Sequence, residues 1–187
     1  PRSTLSSSSA ASDVYKRQGI GALVIREGIQ LQPLQWGGGQ EAGLRAGTLP
    51  SPLIVGFAAA VQQAMADRDE RHTRLAGLRD QLWNGLKAQL PSVERNGAAA
   101  PRLAHNLNIT LPGMSGSRLH RSLRPHLACS SGSACSNGAP SHVLLAIGRS
   151  RADAEASLRL SLGRSTTADA VAQAIASIVE AVAAQQS

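Results

Sequence analysis

Cys135 is the residue with the clearest chemical potential in this sequence. It lies in the string Cys129-Ser-Ser-Gly-Ser-Ala-Cys-Ser-Asn-Gly-Ala-Pro-Ser-His142. Small, flexible residues surround it, so its thiol is expected to be accessible and mobile. A nucleophile needs both properties if it attacks in one place and delivers in another. The plain alternative is a surface thiol without a role. Cys129 closes the apolar run Leu127 to Cys129 and reads as a small buried residue. The two cysteines match no usual zinc spacing, and no Cys-x-x-Cys occurs. A regulatory disulfide between them is the remaining pairing.

Arg159 alternates with three leucines, Leu158, Leu160 and Leu162, and so sits on the polar face of an expected strand. An Arg there can grip a carboxylate at two points. The alternative is a surface ion pair. A third segment, Gly37-Gly-Gly-Gln-Glu-Ala-Gly-Leu-Arg-Ala-Gly-Thr48, lets backbone approach an anion and offers a Thr hydroxyl to phosphate. It is neither a Gly-Lys-Ser/Thr phosphate loop nor the dinucleotide fingerprint, and a connecting loop is the alternative. His105, His120, His126 and His142 show no metal-ligand spacing, so no metal site is expected.

Composition narrows the classes. The chain has 187 residues and a net charge of +7. All but two of its 19 basic residues, Lys16 and Lys87, are Arg. The arginines are scattered, and only Trp36, Trp83, Tyr15 and Phe57 are aromatic, which argues against a nucleic-acid surface. Solvated arginines or an acidic protein partner fit better. No apolar run of about 18 residues suggests a membrane helix, and residues 1–5 lack the apolar stretch of a secretory signal. Two cysteines in such a chain point to a reducing compartment.

The elements that must position these residues can be read in order. The Ser-rich residues 1–18 carry no apolar periodicity and are expected to be disordered. They also look like translated adaptor sequence. Ile20 to Arg26 reads as a strand. Pro50 and Pro52 open an apolar helix from Leu53 to Met65. A long helix follows from about Asp67 to Leu90, with Leu75, Leu78, Leu82, Leu86 and Leu90 on one stripe.

Leu103 to Leu111 alternates, placing Leu103, Leu107, Ile109 and Leu111 on one face and Asn106, Asn108 and Thr110 on the other. Ser117 to Leu123 forms a short helix, Leu127 to Cys129 starts a strand, and Leu158 to Leu162 forms another. Thr166 is expected to cap a last helix that buries Val171, Ile175, Ile178, Val179 and Val182. Alternating strands and helices predict an α/β or α+β fold; α/β is the class expected here.

Taken together, these strings resemble the cysteine desulfurases of the class V aminotransferase group, within pyridoxal-phosphate fold type I. The matching pieces are Gly19 to Leu23, Gly37 to Pro50, Ile54 to Phe57, Asn106-Leu-Asn108, Ser130-Ser-Gly-Ser-Ala-Cys135, Ser141 to Leu144 and Leu158 to Thr167. The resemblance runs from about residue 19 to residue 184. It implies the end of a large cofactor domain (19–66) followed by a small C-terminal α/β domain (67–187), after a non-family leader (1–18).

The resemblance also implies chemistry. Cys135 would take sulfur from L-cysteine as a persulfide and release L-alanine. Arg159 would bind the substrate carboxylate. Thr48 would contact the phosphate of pyridoxal 5'-phosphate held by the neighbouring subunit of a homodimer. The sulfur would pass to an iron–sulfur scaffold or another acceptor, in the cytoplasm. A selenocysteine lyase and a non-catalytic docking module are the alternatives.

Three departures stand out. Asp13 occupies the position of the family's cofactor-holding lysine, Lys16 is out of register, and the family's N-terminal half is missing, so the chain alone is expected to be inactive. The stretch from Cys135 to Ser141 is shorter than usual. Gly116-Ser117 replaces a usual Gly-Glu, which is expected to change only a helix start. The helix from Leu53 to Met65 would lack part of its sheet, so exposed apolar surface and aggregation are expected.

Overall fold

The structure is a computed structural model that describes residues 19–130 and 139–186. The Ser-rich leader and the centre of the cysteine loop, including Cys135, lie outside the described residues. The chain divides into two compact units, Pro1–Asp67 and Arg68–Ser187.

The first unit holds one long helix, α1 (Ser51–Ala66), with a proline in its first turn, where a missing N–H costs nothing. The expected strand Ile20 to Arg26 does not form. A strand needs a second backbone to take its N–H and C=O groups, and none among the described residues pairs with this run. Val24 stays 82% exposed. Likewise α1 buries no residue: Val55 is 68% and Met65 58% exposed.

The second unit contains α2 (Arg68–Gln89), β1 (Glu94–Arg95), β2 (Asn106–Thr110), α3 (Gly116–Leu123), α4 (His142–Ala146), α5 (Arg151–Glu155), β3 (Ser157–Ser161) and α6 (Ala168–Gln186). The three strands form an antiparallel sheet in the order β1-β2-β3. Its apolar face meets α2, which packs on α6; α3 packs on α6 as well. Leu86, Leu107, Ile109, Leu119, Leu158 and Ile178 are fully buried. Each such side chain contributes roughly 1.5–3 kcal/mol by leaving water.

Periodicity fixed most of this. The stripe on α2 buries Leu75, Leu82 and Leu86, with Leu78 and Leu90 packed at its margin. On α6, Val171, Ile175, Ile178 and Val182 are buried, Val179 is half-buried, and Ala181 joins them.

Three expectations need correction. Leu103 lies outside β2 and is 65% exposed, because a turn at Ala104-His105 breaks the alternation and buries Ala104 instead. Leu127 to Cys129 forms no strand; a single bridge, Ser130 to Arg159, is all that pairs. The last helix is capped by Thr167, whose Oγ1 accepts from the N–H of Ala170 at 3.1 Å. Thr166 instead turns back to accept from Gly163 N at 2.8 Å.

Arginines latch the second unit together. Arg74 donates to the carbonyls of Arg164 and Thr166, both at 2.9 Å, tying α2 to the β3–α6 loop. Arg79 donates to Leu103 O at 3.1 Å and pairs with Asp80. Arg149 pairs with Glu94 and donates to Arg95 O, while Arg95 lies 5.2 Å from the centre of the Trp83 ring. Such donors are committed to the fold and unavailable to a partner.

Candidate active site

Arg159 stands at the middle of β3, between buried Leu158 and Leu160. That alternation forces its side chain onto the opposite, polar face. Its cross-strand partner is Asn108 on β2, and paired residues in an antiparallel sheet share a face. On the other side of β3, Arg159 is bridged to Ser130. Ser130 N donates to Arg159 O at 3.1 Å, and Arg159 N donates to Ser130 O at 2.6 Å. Its guanidinium is exposed and has no hydrogen-bond or ion-pair partner among the described residues.

The polar face is closed at one end. Thr110 is fully buried and Ser157 is 1% exposed, with their hydroxyls 2.8 Å apart. Asn96, 4% exposed, donates from Nδ2 to Asn108 Oδ1 at 2.7 Å and to Thr110 Oγ1 at 2.9 Å. Ser157 donates to the carbonyl of Asp153 at 2.6 Å. These buried polar groups lie within hydrogen-bond distance of one another and form one network across the strands. Sequence reading put Asn108 and Thr110 on the polar face, but could not show that Asn96 joins them from another strand's end.

Cys129 is half-buried against the core, with Sγ 3.7 Å from His120 Nδ1. Desolvation pushes the Cys129 thiol up from its ordinary value and the His120 imidazole down. Both shifts oppose a thiolate–imidazolium pair, so this contact joins two neutral groups. His120 also lines an open cleft of about 710 Å³ together with Met114, Ser117, Glu155 and Pro140. Ala139 and Pro140, which follow the cysteine loop, form part of its wall. No cluster of metal-ligating side chains exists among the described residues.

Thr48 belongs to the first unit. It is exposed, and its hydroxyl has no partner among the described residues. Gly47 precedes it at φ 116°, with its N–H donating to Gln40 Oε1 at 3.1 Å. Just before, Glu41 and Ala42 both sit in the left-handed region, at φ 53° and 55°. Each such residue costs on the order of 1 kcal/mol or more, and strain of this kind gathers at binding loops. Cys135 lies outside the described residues; Arg159 and the base of its loop are brought together by the Ser130 bridge.

Comparison with known proteins gives a consistent picture. The class-V aminotransferase family matches residues 9–173. The chain is 41% identical over 177 residues to cysteine desulfurase IscS of Tolumonas auensis, covering 92% of this chain and 43% of that protein. It is 38% identical over 179 residues to the mitochondrial cysteine desulfurase of Arabidopsis thaliana, covering 94% and 39%. Among solved structures, a NifS-like protein aligns with a TM-score of 0.72 at 31% identity, over 85% of this chain and 41% of that one. The NifS-like protein of Rickettsia africae aligns with the same TM-score at 28% identity. This chain therefore spans less than half the length of the curated relatives it matches, and it belongs to the class-V aminotransferase family.

Proposed function

We propose that this segment is the sulfur-accepting, substrate-gripping part of a pyridoxal-phosphate-dependent cysteine desulfurase. The Ser130–Arg159 bridge carries the reading. It ties the root of the Cys135 loop to the strand bearing Arg159. Cys135 follows five residues later, so its backbone lies within about 18 Å of Ser130 by covalent reach alone. Arg159 would hold the carboxylate of L-cysteine through two parallel N–H bonds. Cys135, as thiolate, would take the substrate sulfur, leaving Cys135 persulfide and L-alanine.

Bound pyridoxal 5'-phosphate supplies the electron sink for breaking the substrate carbon–sulfur bond. The described residues do not make a whole site for it. Lys87 is the one lysine among them, and its Nζ donates to the carbonyls of Pro91 and Val93 at 2.7 and 3.0 Å. A lysine so engaged closes the end of α2 and cannot also hold a cofactor. Thr48 is the residue we assign to a phosphate contact, across a homodimer interface. The sulfur acceptor would be a scaffold protein for iron–sulfur assembly or a thio-modification enzyme, in the cytoplasm. Among the described residues, no helix is long and apolar enough to cross a membrane.

The test uses a full-length chain carrying this segment, incubated with L-cysteine labelled at sulfur. Protein-bound label is expected on Cys135 and is expected to vanish in Cys135→Ser. Label on Cys129, or none on protein, overturns the assignment.

A further inference from the structure

The buried network beside Arg159 has a fixed direction. The carbonyl of Asp153 can only accept, so the Ser157 hydroxyl, 2.6 Å away, must donate to it. Ser157 has a single proton. Toward Thr110, 2.8 Å away, it can therefore only accept, and Thr110 must donate. That commits the Thr110 proton to its 2.8 Å contact, rather than to Asn96 Oδ1 at 3.1 Å. Thr110 Oγ1 in turn accepts from Asn96, whose amide nitrogen lies 2.9 Å away. The same nitrogen lies 2.7 Å from the side chain of Asn108, which must present its oxygen. The single-proton choices run from a backbone carbonyl to Thr110, and Asn96, donating from Nδ2 to Asn108 Oδ1, carries the chain on to Asn108. With its oxygen taken by Asn96, the N–H bonds of Asn108 point away from the network.

These N–H bonds have no partner among the described residues, and Asn108 is half-buried. Directly across the strand pair stands Arg159, whose guanidinium is equally unpartnered. Paired residues place their Cβ atoms about 4.5–5.5 Å apart. An amide nitrogen and a guanidinium are both donors and cannot satisfy one another. A single acceptor placed between them can satisfy both.

We infer that Asn108 is a second donor to the carboxylate that Arg159 takes, locked in its donating orientation by Asn96. The inference rests on the reading of Arg159 as the carboxylate residue and deepens it. A guanidinium on a long stem can grip a carboxylate in many positions. A short amide fixed at the strand surface selects one of them, because it hydrogen-bonds a carboxylate oxygen only where the two donor sets converge. Asn108 is then a positioning and specificity residue for a small amino acid with a free carboxylate. Asn96, two strands from Arg159, acts only through Asn108.

The test is a titration of the 187-residue chain, nitrogen-labelled, with L-alanine and separately with L-alaninamide, in which the carboxylate is blocked. The readouts are the side-chain NH2 signals of Asn108 and the Nε–H signal of Arg159. Both are expected to shift along one binding curve with L-alanine and to stay still with L-alaninamide. If Arg159 shifts and Asn108 does not, the inference falls and the carboxylate reading of Arg159 survives. If neither shifts, both fall. Asn108→Asp keeps the size and removes the donors; it is expected to weaken L-alanine binding at least about tenfold, the loss of a hydrogen bond to a charged group. Unchanged affinity in Asn108→Asp, with the remaining sheet signals undisturbed, overturns it.

Discussion

Ser130 and Arg159 exchange two backbone hydrogen bonds, at 3.1 and 2.6 Å, where the segment leading into the cysteine loop pairs with the sheet. The bridge uses the backbone of Arg159 and leaves its guanidinium free of described partners. Position and chemistry are thereby separated at one residue: the main chain anchors the loop, and the side chain faces outward. Arg159→Ala is therefore expected to change unfolding free energy by less than about 0.5 kcal/mol, while the neighbouring Leu158→Ala costs about 2–5 kcal/mol. Urea denaturation of both variants checks the contrast. Ser130→Pro removes one bridge hydrogen bond and is expected to cost about 1 kcal/mol or more in the same assay.

Gly116 and Gly85 make a second contrast. A Cβ on Gly116 would overlap the backbone carbonyl of Glu155, which cannot swing away. A Cβ on Gly85 would meet only the side chain of Ile175, chiefly its terminal Cδ1, which can change rotamer. Gly116→Ala is expected to destabilise by about 2–3 kcal/mol through overpacking. Gly85→Ala is expected to stay within about 1 kcal/mol of the parent, because the gain in helix propensity near the end of α2 offsets the crowding. Thermal melts of the two variants decide this.

Asn96 completes a buried network with Thr110, Asn108 and Ser157. Asn96→Ala leaves buried partners unsatisfied and is expected to cost about 2–4 kcal/mol, read from the denaturant midpoint. A cost below about 0.5 kcal/mol would show that water replaces it freely.

The His120–Cys129 contact predicts how stability depends on pH. Desolvation lowers the His120 pKa from its ordinary 6.5, so the unfolded chain binds the proton more readily. Stability from this group is present above about pH 6.5 and is lost as pH falls toward the folded value. Burial raises the Cys129 pKa from 9.0, so its contribution is present below pH 9 and is lost as pH rises above it. The expected profile declines at both ends. His120→Phe should flatten the acid limb and Cys129→Ala the alkaline limb, as measured by unfolding free energy across pH.

The uncovered apolar surface of α1 predicts self-association. Leu53, Val55, Val61 and Met65 remain 42–68% exposed. Sedimentation of the 187-residue chain is expected to show concentration-dependent oligomers. Val55→Lys with Val61→Lys should reduce them without lowering the melting temperature, since neither side chain is buried.

Periodicity alone determined the leucine stripe of α2, the polar and apolar faces of β2 and β3, and the buried face of α6. These follow from spacing, because a helix or strand with one apolar side has only one way to leave water. The Ser-Gly-rich setting of Cys135 and the polar position of Arg159 were legible for the same local reason. Tertiary structure decided what depends on a distant backbone. Ile20 to Arg26 has every propensity of a strand and forms none, because no described segment pairs with it. Leu127 to Cys129 contributes one bridge where a strand was expected. Thr167 takes the cap from Thr166, since the turn back to Gly163 uses the Thr166 hydroxyl. The pairing of Asn108 with Arg159, and the orientation that Asn96 imposes, belong to this second group: hydrogen-bond direction is set by which groups meet across strands, and no single stretch of sequence contains that.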